Sequence, residues 1–256
     1  MLNQSLIDSI EGVMRECGDI MLNADRSEIG VESKAGDANF VTKYDTMIQE
    51  ILKKKLLEIL PEAGFVGEEK DEAFCADREY VYIVDPIDGT TNFIKDYHQS
   101  CISVALRKEK KGYLGMIYNP YVDEFFYAQR GEGAFVNGRQ IHVSEEPLAN
   151  GIVIFGTAPY YKELNQPTFD MAYSYFQKAL DVRRGGSAAL DLCAIAAGRA
   201  ELFFELCLSP WDYAAGALII EEAGGIVTTV EGDALPYDKK CSVIATNRIV
   251  RGEIET

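Results

Sequence analysis

Apolar residues recur at helical spacing in two stretches near the start of the chain. Residues 2–21 and 47–60 place an apolar residue at every third or fourth position, which is the pattern of an amphipathic helix. Pro61 ends the second helix, because proline lacks the N–H that a helix interior needs. Residues 30–39 contain two glycines, several charges and little apolar content, so a mobile loop is predicted there.

From residue 64 onward the pattern changes to short runs of β-branched and aromatic residues, which are typical of strands. In the first half these strands are predicted at 65–66, 80–84, 101–106, 113–118 and 124–128, and the glycines between them favour an antiparallel meander. The second half alternates, with strands predicted at 152–155, 200–205, 226–230 and 241–245 and helices at 169–180, 189–197 and 211–223. We therefore expect a single catalytic unit with an α+β lobe, residues 1–146, and a more alternating α/β lobe, residues 147–256.

Composition and charge narrow the classes of function. The chain has 256 residues, of which 47% are hydrophobic, so it can bury a substantial core. Its 41 acidic and 25 basic residues give a net charge of −16, which repels a nucleic-acid backbone and suits metal ions. Six scattered cysteines, without a C-x-x-C pair, and the absence of a long apolar run predict a cytoplasmic protein without membrane or nucleic-acid partners.

Residues 81–93 carry the clearest chemical signal. A buried strand is predicted to end at Asp85, and Pro-Ile-Asp-Gly-Thr-Thr-Asn-Phe follows it. Pro86 cannot donate to a strand ladder and Gly89 permits a sharp turn, so Asp85 and Asp88 can converge on one point. Two carboxylates held close together repel each other, and a hard divalent cation bound through oxygen offsets that repulsion.

The turn after these acids allows more than one interpretation. The amides of Gly89 and Thr90 would open a short helix whose N-terminus faces an anion, as phosphate sites often do. A turn rich in Asp, Gly and Pro also forms without any chemistry. Haloacid dehalogenase phosphatases use an Asp-x-Asp-Gly-Thr run with a nucleophilic Asp. Here Asp85 and Asp88 are three positions apart with Pro86 between them, which disfavours that alternative.

Residues 85–93 read Asp-Pro-Ile-Asp-Gly-Thr-Thr-Asn-Phe. This run resembles the signature of the inositol monophosphatase family. The other blocks of the family stand in the expected order, with Phe-Val-Gly-Glu-Glu upstream at 65–69, and Trp-Asp-Tyr-Ala-Ala-Gly at 211–216 and Glu-Glu-Ala-Gly-Gly at 221–225 downstream. The resemblance therefore spans essentially the whole chain. It implies a magnesium-dependent, lithium-sensitive phosphomonoesterase with a layered αβαβα sandwich fold, commonly a homodimer.

The resemblance also implies a set of metal ligands. Glu68, Asp85 and the backbone carbonyl of Ile87 would bind one magnesium ion. Asp85, Asp88 and Asp212 would bind a second, and the working site would hold two or three ions.

Several of these acids have plainer structural explanations. Glu68 follows a strand among charged residues, where an exposed acid is usual. Asp212 ends the run Ser-Pro-Trp-Asp, a capping box for the following helix whether or not a metal is present. Asp45 is placed to cap the helix that follows it. Their occurrence in order with the block around Asp85 is what favours catalysis.

The family pattern assigns further residues to the water and the phosphate. Thr90, paired with Asp45, would orient and deprotonate the attacking water together with Glu68. Gly89 and Thr90 would bind the phosphate. Lys34 corresponds to the lysine of the family's mobile loop near the site.

Two further matches concern the substrate. Gly186, Ser187 and Ala188 form a glycine turn into a helix, which in the family contributes to the substrate pocket. Glu205 matches a glutamate that hydrogen-bonds a substrate hydroxyl. The run 155–162 departs from the family pattern, and no role is assigned to it.

The resemblance thus predicts hydrolysis of inositol monophosphate by in-line attack of a metal-activated water, without a phosphoenzyme. His98 and His142 lie outside all these blocks, which disfavours a histidine nucleophile. Related families that share the motif hydrolyse fructose 1,6-bisphosphate, 3′-phosphoadenosine 5′-phosphate or NADP, and these substrates are the alternatives. A different class of protein, a non-catalytic metal-binding scaffold, is the remaining hypothesis.

Overall fold

The computed structural model describes residues 4–25, 27, 29–33, 40–69 and 78–254. Its helices are α1 (Gln4–Leu22), α2 (Lys43–Ile59), α3 (Thr90–Ile94), α4 (Asn165–Phe176), α5 (Ala188–Ala196), α6 (Pro210–Glu222) and α7 (Arg248–Ile254). Its strands are β1 (Glu32–Ser33), β2 (Phe40–Val41), β3 (Gly64–Gly67), β4 (Tyr80–Asp88), β5 (Cys101–Lys108), β6 (Lys111–Asn119), β7 (Glu124–Gln129), β8 (Gly133–Val136), β9 (Arg139–Ile141), β10 (Ile152–Phe155), β11 (Asp181–Arg183), β12 (Leu202–Leu208), β13 (Ile226–Thr228) and β14 (Cys241–Thr246).

Two large sheets organise these elements. The first has seven strands in the order β3-β4-β5-β6-β7-β8-β9, and from β4 onward each strand is antiparallel to the next. This confirms the predicted meander, although β3 and β4 are parallel. The second has five strands in the order β11-β10-β12-β14-β13, in which β10 is parallel to both its neighbours and β14 antiparallel to both of its own.

The sheets alternate with helices to give five layers. Helices α1 and α2 pack on one face of the first sheet, against side chains such as Tyr82. Its other face, which includes Ile83, shares a core with α5, α6 and the second sheet. Helices α4 and α7 cover the far side of the second sheet around Phe204. This arrangement confirms the predicted αβαβα sandwich.

Helix α6 is the centre of the molecule. Its residues 213–220 are all buried, which is the behaviour of a helix with apolar contacts on every side. A Cβ atom at Gly115 of β6 would come within 2.5 Å of the carbonyl oxygen of Ala215, and one at Gly216 within 2.7 Å of Leu192. The helix therefore lies against the first sheet and α5 at distances that only glycine allows. Because α5 and α6 pack with both sheets, the division into lobes at 146–147 stays a prediction.

The structure corrects three predicted boundaries. Strand β4 does not end at Asp85 but continues to Asp88, with a bulge between them. Helix α4 spans Asn165–Phe176 and not 169–180, because Pro167 fits in a first helical turn. The predicted loop at 30–39 contains β1, which pairs with β2 just after the loop, and Lys34 lies outside the described residues.

Within the described ranges, none of the helices is long and apolar enough to cross a membrane.

Candidate functional site

The end of β4 presents two buried carboxylates. Asp85 pairs with Ser103 and Asp88 with Cys101, so three residues on β4 advance against two on β5. Pro86 lies within this bulge, where its missing N–H costs no ladder hydrogen bond. The bulge turns both acids toward one point. The backbone N–H of Ile87 donates to Asp85 Oδ1 at 3.0 Å and fixes the first of them.

Asp88 is held by the start of α5. The Ser187 hydroxyl donates to Asp88 Oδ2 at 2.5 Å, and the N–H of Ala189 donates to the same oxygen at 2.8 Å. Ser187 is also the N-cap of α5, reached through Gly186, whose φ of +89° favours glycine. Sequence reasoning assigned Gly186, Ser187 and Ala188 to the substrate, but it missed the contact between Ser187 and Asp88.

Asp212 completes a cluster of three acids. It lies in the first turn of α6, where its Oδ2 accepts from the N–H of Ser209 at 2.7 Å. One carboxylate oxygen from each of Asp85, Asp88 and Asp212 lies within 4.8 Å of the other two. We call these three residues the carboxylate cluster. The predicted capping box is present, and the same acid lies beside the end of β4, so its role as a metal ligand stays a prediction.

Glu68 and Ile87 line the same cavity as the carboxylate cluster. Glu68 follows β3, is half-buried, and its N–H donates to the carbonyl of Val84 at 3.1 Å. It is not one of the three acids within 4.8 Å of each other, but its charge adds to the effect of burial in raising the pKa of Asp85. It is therefore an adjacent anionic group.

Thr90 and Asp45 form a second polar pair beside the cluster. The Thr90 hydroxyl lies 3.2 Å from Asp45 Oδ1 and 3.1 Å from the carbonyl oxygen of Ile87. A hydroxyl has one proton, so it donates to one of these oxygens at a time. The other carboxylate oxygen of Asp45 accepts from the N–H of Thr42 at 2.8 Å and caps α2. Both explanations of this acid, the cap and the catalytic pair, are thus compatible with the contacts.

Gly89 makes the turn between these groups possible. Its φ is +85°, and a Cβ atom there would lie 2.8 Å from the carbonyl oxygen of Gln99. It precedes α3, so its amide and that of Thr90 stand at the start of that short helix, as the sequence predicted.

Burial of like charges makes the cluster electrostatically unfavourable on its own. Burial raises the pKa of Asp88 to about 6, although hydrogen bonds from Ser187 and Ala189 oppose this. Burial also raises the pKa of Asp85 and of Asp212 well above the usual range, and the neighbouring carboxylates raise both further. An oxygen donor set of this charge fits a hard divalent cation, which would remove the repulsion.

A cavity of about 330 Å³ opens above the cluster, and Glu205 forms part of its wall. Glu205 lies on β12 and accepts the N–H of Ala158 at 2.7 Å. A Cβ atom at Gly156 would lie 1.8 Å from its Oε2, so glycine is required there. Burial raises the pKa of Glu205 to about 7, with Asp88 contributing and Arg184 opposing.

Several cavity residues were missed by sequence reasoning. Asp191 is buried one helical turn after Ser187 on α5, and that i,i+4 spacing was the available signal. The exposed edge of the cavity, which we call the rim, includes residues from the run to which no role was assigned. The rim comprises Tyr160, Tyr161, Arg184 and Lys240.

A layered sandwich with a largely buried carboxylate cluster at a strand end is typical of the class of metal-dependent phosphatases. The model of the inositol monophosphatase family matches residues 2–255, so the chain belongs to that family. It is a phosphatase that hydrolyses phosphomonoesters, and the family is magnesium-dependent.

Three similar proteins illustrate the relationship. An inositol-1-monophosphatase of Caulobacter vibrioides is 35% identical over 254 residues, covering 95% of this chain and 93% of that protein. The crystal structure of extragenic suppressor protein suhB from Bartonella henselae has a TM-score of 0.91 and 33% identity, covering 98% of this chain and 97% of that one. An IMPase/NADP phosphatase complexed with Mg²⁺ and phosphate has a TM-score of 0.88 and 27% identity, covering 98% of this chain and 94% of that one.

Proposed function

We propose that this phosphatase hydrolyses inositol monophosphate to inositol and phosphate, with magnesium and by in-line attack of water. The observation that carries the proposal is the carboxylate cluster, whose three oxygens lie within 4.8 Å of one another beside a hydroxyl–carboxylate pair. No cysteine or histidine nucleophile is required, because the attacking group is water.

The chain supplies two overlapping sets of oxygen ligands. Glu68, Asp85 and the carbonyl of Ile87 form one set, and Asp85, Asp88 and Asp212 form the other. Bound magnesium, as two or three ions, would supply Lewis acidity to the water and to the leaving oxygen. The protein itself keeps these oxygens fixed, as the N–H of Ile87 does for Asp85.

Thr90 and Asp45 are proposed to orient the water and accept its proton, with Glu68 beside them. Their separation of 3.2 Å suits a proton relay from hydroxyl to carboxylate. The amides of Gly89 and Thr90 are proposed to hold phosphate oxygens. Lys34, outside the described residues, keeps its proposed place in the family's loop.

Glu205 and the turn Gly186, Ser187 and Ala188 are proposed to contact the substrate. All four line the cavity, and Glu205 has one oxygen engaged with Ala158, which leaves the other for a substrate hydroxyl. We also propose that the protein is a homodimer and is located in the cytoplasm.

The test is release of phosphate from inositol 1-phosphate, fructose 1,6-bisphosphate, 3′-phosphoadenosine 5′-phosphate and NADP, with and without magnesium. We expect magnesium-dependent turnover with the highest kcat/KM on inositol 1-phosphate. A higher kcat/KM on one of the others would reassign the substrate. Magnesium binding without turnover of any ester would favour the non-catalytic scaffold.

A further inference from the structure

The cavity wall is mostly acidic, and its two basic residues lie in different surroundings. The acidic residues of the wall are Glu68, Asp85, Asp88, Asp191, Glu205 and Asp212, and the basic ones are Arg184 and Lys240. A cation placed in such a wall either compensates the acids or binds an anion that enters. Each cation donates to one hydroxyl, Arg184 to that of Thr157 and Lys240 to that of Tyr161.

Arg184 compensates acids of the wall. Burial raises the pKa of Asp191 and of Glu205, and the guanidinium of Arg184 opposes that rise in both. Its Nη2 donates to the hydroxyl of Thr157 at 3.3 Å. The charge of Arg184 therefore acts on two carboxylates of the wall, although within the described residues Arg184 forms no ion pair within 4.0 Å.

Lys240 is fixed at the rim by a neutral partner. Its Nζ donates to the hydroxyl of Tyr161 at 2.9 Å and lies 5.6 Å from the centre of the same ring. The backbone of Tyr161 is itself fixed, since its N–H donates to the carbonyl of Ala158 and its carbonyl accepts from Leu164, both at 2.9 Å. Among the described residues, Lys240 forms no ion pair within 4.0 Å, although the charge of Asp212 also acts on it.

We propose that Lys240 is a specificity residue that binds a second anionic group of the substrate, a phosphate or a carboxylate remote from the scissile phosphate. The enzyme would then accept polyol or sugar phosphates with such a group as well as simple monophosphates. This inference rests on the function proposed above. A simple polyol monophosphate has no remote charge for the ammonium to contact, whereas a second anion would gain a charge-assisted hydrogen bond.

The net charge of the chain makes this local cation important. At −16 overall, the protein repels a polyanion, and each additional negative charge on the substrate increases the repulsion. A fixed ammonium at the rim would offset part of this repulsion where the remote group would lie. The effect of Lys240 on substrates with a second anionic group should weaken as added salt screens the charges.

The experiment compares three matched substrates with purified magnesium-loaded enzyme. Glucose 1-phosphate has a hydroxymethyl group at carbon 6, glucose 1,6-bisphosphate has a phosphate there, and glucuronic acid 1-phosphate has a carboxylate. Hydrolysis at carbon 1 is followed by the appearance of glucose, glucose 6-phosphate or glucuronic acid. The two charged substrates distinguish phosphate from carboxylate recognition.

The variants are Lys240→Met, Lys240→Arg and the matched control Lys239→Met, which removes a neighbouring exposed lysine that does not line the cavity. We expect Lys240→Met to lower kcat/KM on at least one charged substrate about 10-fold, mainly through KM, as for loss of one charge-assisted hydrogen bond. Glucose 1-phosphate should change less than about twofold, because uniform electrostatic effects at exposed sites are small. Lys240→Arg should retain most of the preference.

Each outcome bears on the proposal. Equal losses of kcat/KM on all three substrates would place Lys240 among the residues that bind the scissile phosphate and would overturn the inference. Unchanged kinetics in Lys240→Met would also overturn it. A wild-type enzyme that rejects both charged substrates would do the same. Absence of magnesium-dependent turnover on glucose 1-phosphate and on inositol 1-phosphate would instead overturn the proposed function.

Discussion

The carboxylate cluster and the rim of the same cavity are built differently. In the cluster Asp85 and Asp88 are buried and Asp212 is half-buried, and each acid is fixed by backbone or hydroxyl donors at 2.5–3.0 Å. The rim is exposed, with Arg184 and Lys240 each held by one side-chain hydroxyl. The proposed chemistry thus depends on rigid, mostly desolvated groups, whereas the proposed selection of the substrate depends on exposed groups that can be exchanged without disturbing the core.

The largest effect should come from the cluster. Asp85→Asn keeps an oxygen for the N–H of Ile87 but removes a charge from both proposed ligand sets. We expect phosphate release to fall at least ~10³-fold, because the Lewis acidity of a bound metal supplies several kcal/mol. The melting temperature without metal should not fall, since repulsion is relieved, and its rise on adding magnesium should shrink. An active Asp85→Asn enzyme would remove this acid from the mechanism.

Loss of the hydroxyl–carboxylate pair should have the next largest effect. Thr90→Ala removes the hydroxyl 3.2 Å from Asp45 Oδ1. We expect kcat to fall about 10²-fold with little change in magnesium binding by calorimetry, as is typical of losing a general base. Thr90→Ser, which keeps the hydroxyl, is the control and should retain most activity. Similar losses in both variants would indicate a packing role for the threonine methyl group.

Substitution of Glu205 in the cavity wall should lower activity less than the two changes above. Glu205→Gln keeps an acceptor for the N–H of Ala158 but removes the charge. We expect kcat/KM for inositol 1-phosphate to fall about 10-fold, the scale of one charge-assisted hydrogen bond to a hydroxyl. Glycerol 2-phosphate, a smaller substrate with fewer hydroxyls, is the comparison and should be affected less. An equal loss on both would mean that Glu205 acts on the cluster and not on the substrate.

The smallest effect, a few degrees in melting temperature, concerns the response of the cluster to pH. Burial raises the pKa of Asp85, Asp88 and Asp212 above their unfolded values. At pH values between the unfolded and the folded pKa, the folded chain without metal therefore binds more protons than the unfolded chain. Its free energy of unfolding therefore falls as the pH rises from the unfolded values through about 6 for Asp88.

Magnesium competes with these protons, so its stabilising effect should be larger at about pH 8 than at about pH 5.5. Thermal melts with and without magnesium at both pH values measure this. The Asp85→Asn variant should show a weaker pH dependence than the parent. A metal-induced shift that is independent of pH would contradict the raised pKa values.

The same contrast explains what the sequence predicted and what it did not. Asp85 and Asp88 were found because a strand, a proline and a glycine within nine residues determine their direction locally. Asp212 was found through its cap and its place in the family pattern. The family resemblance supplied Glu205, whose contact with Ala158 depends on the packing of β12 against a distant loop.

Other features depend on tertiary contacts that no local pattern encodes. Ser187 reaches Asp88 across 99 positions of sequence, and Lys240 reaches Tyr161 across 79. The end of β4 was placed too early because proline usually terminates a strand, whereas a bulge accommodates it here.

Helix α6 has a consequence for how this enzyme acquires its activity. The helix delivers Asp212 to the end of β4, and it is enclosed by both sheets and α5. The first sheet, formed by residues up to 141, therefore holds only part of the proposed metal site until the C-terminal portion of the chain has folded around this helix. Tight magnesium binding would then require a completely folded chain, so a truncated or partly folded chain would not bind the ion tightly.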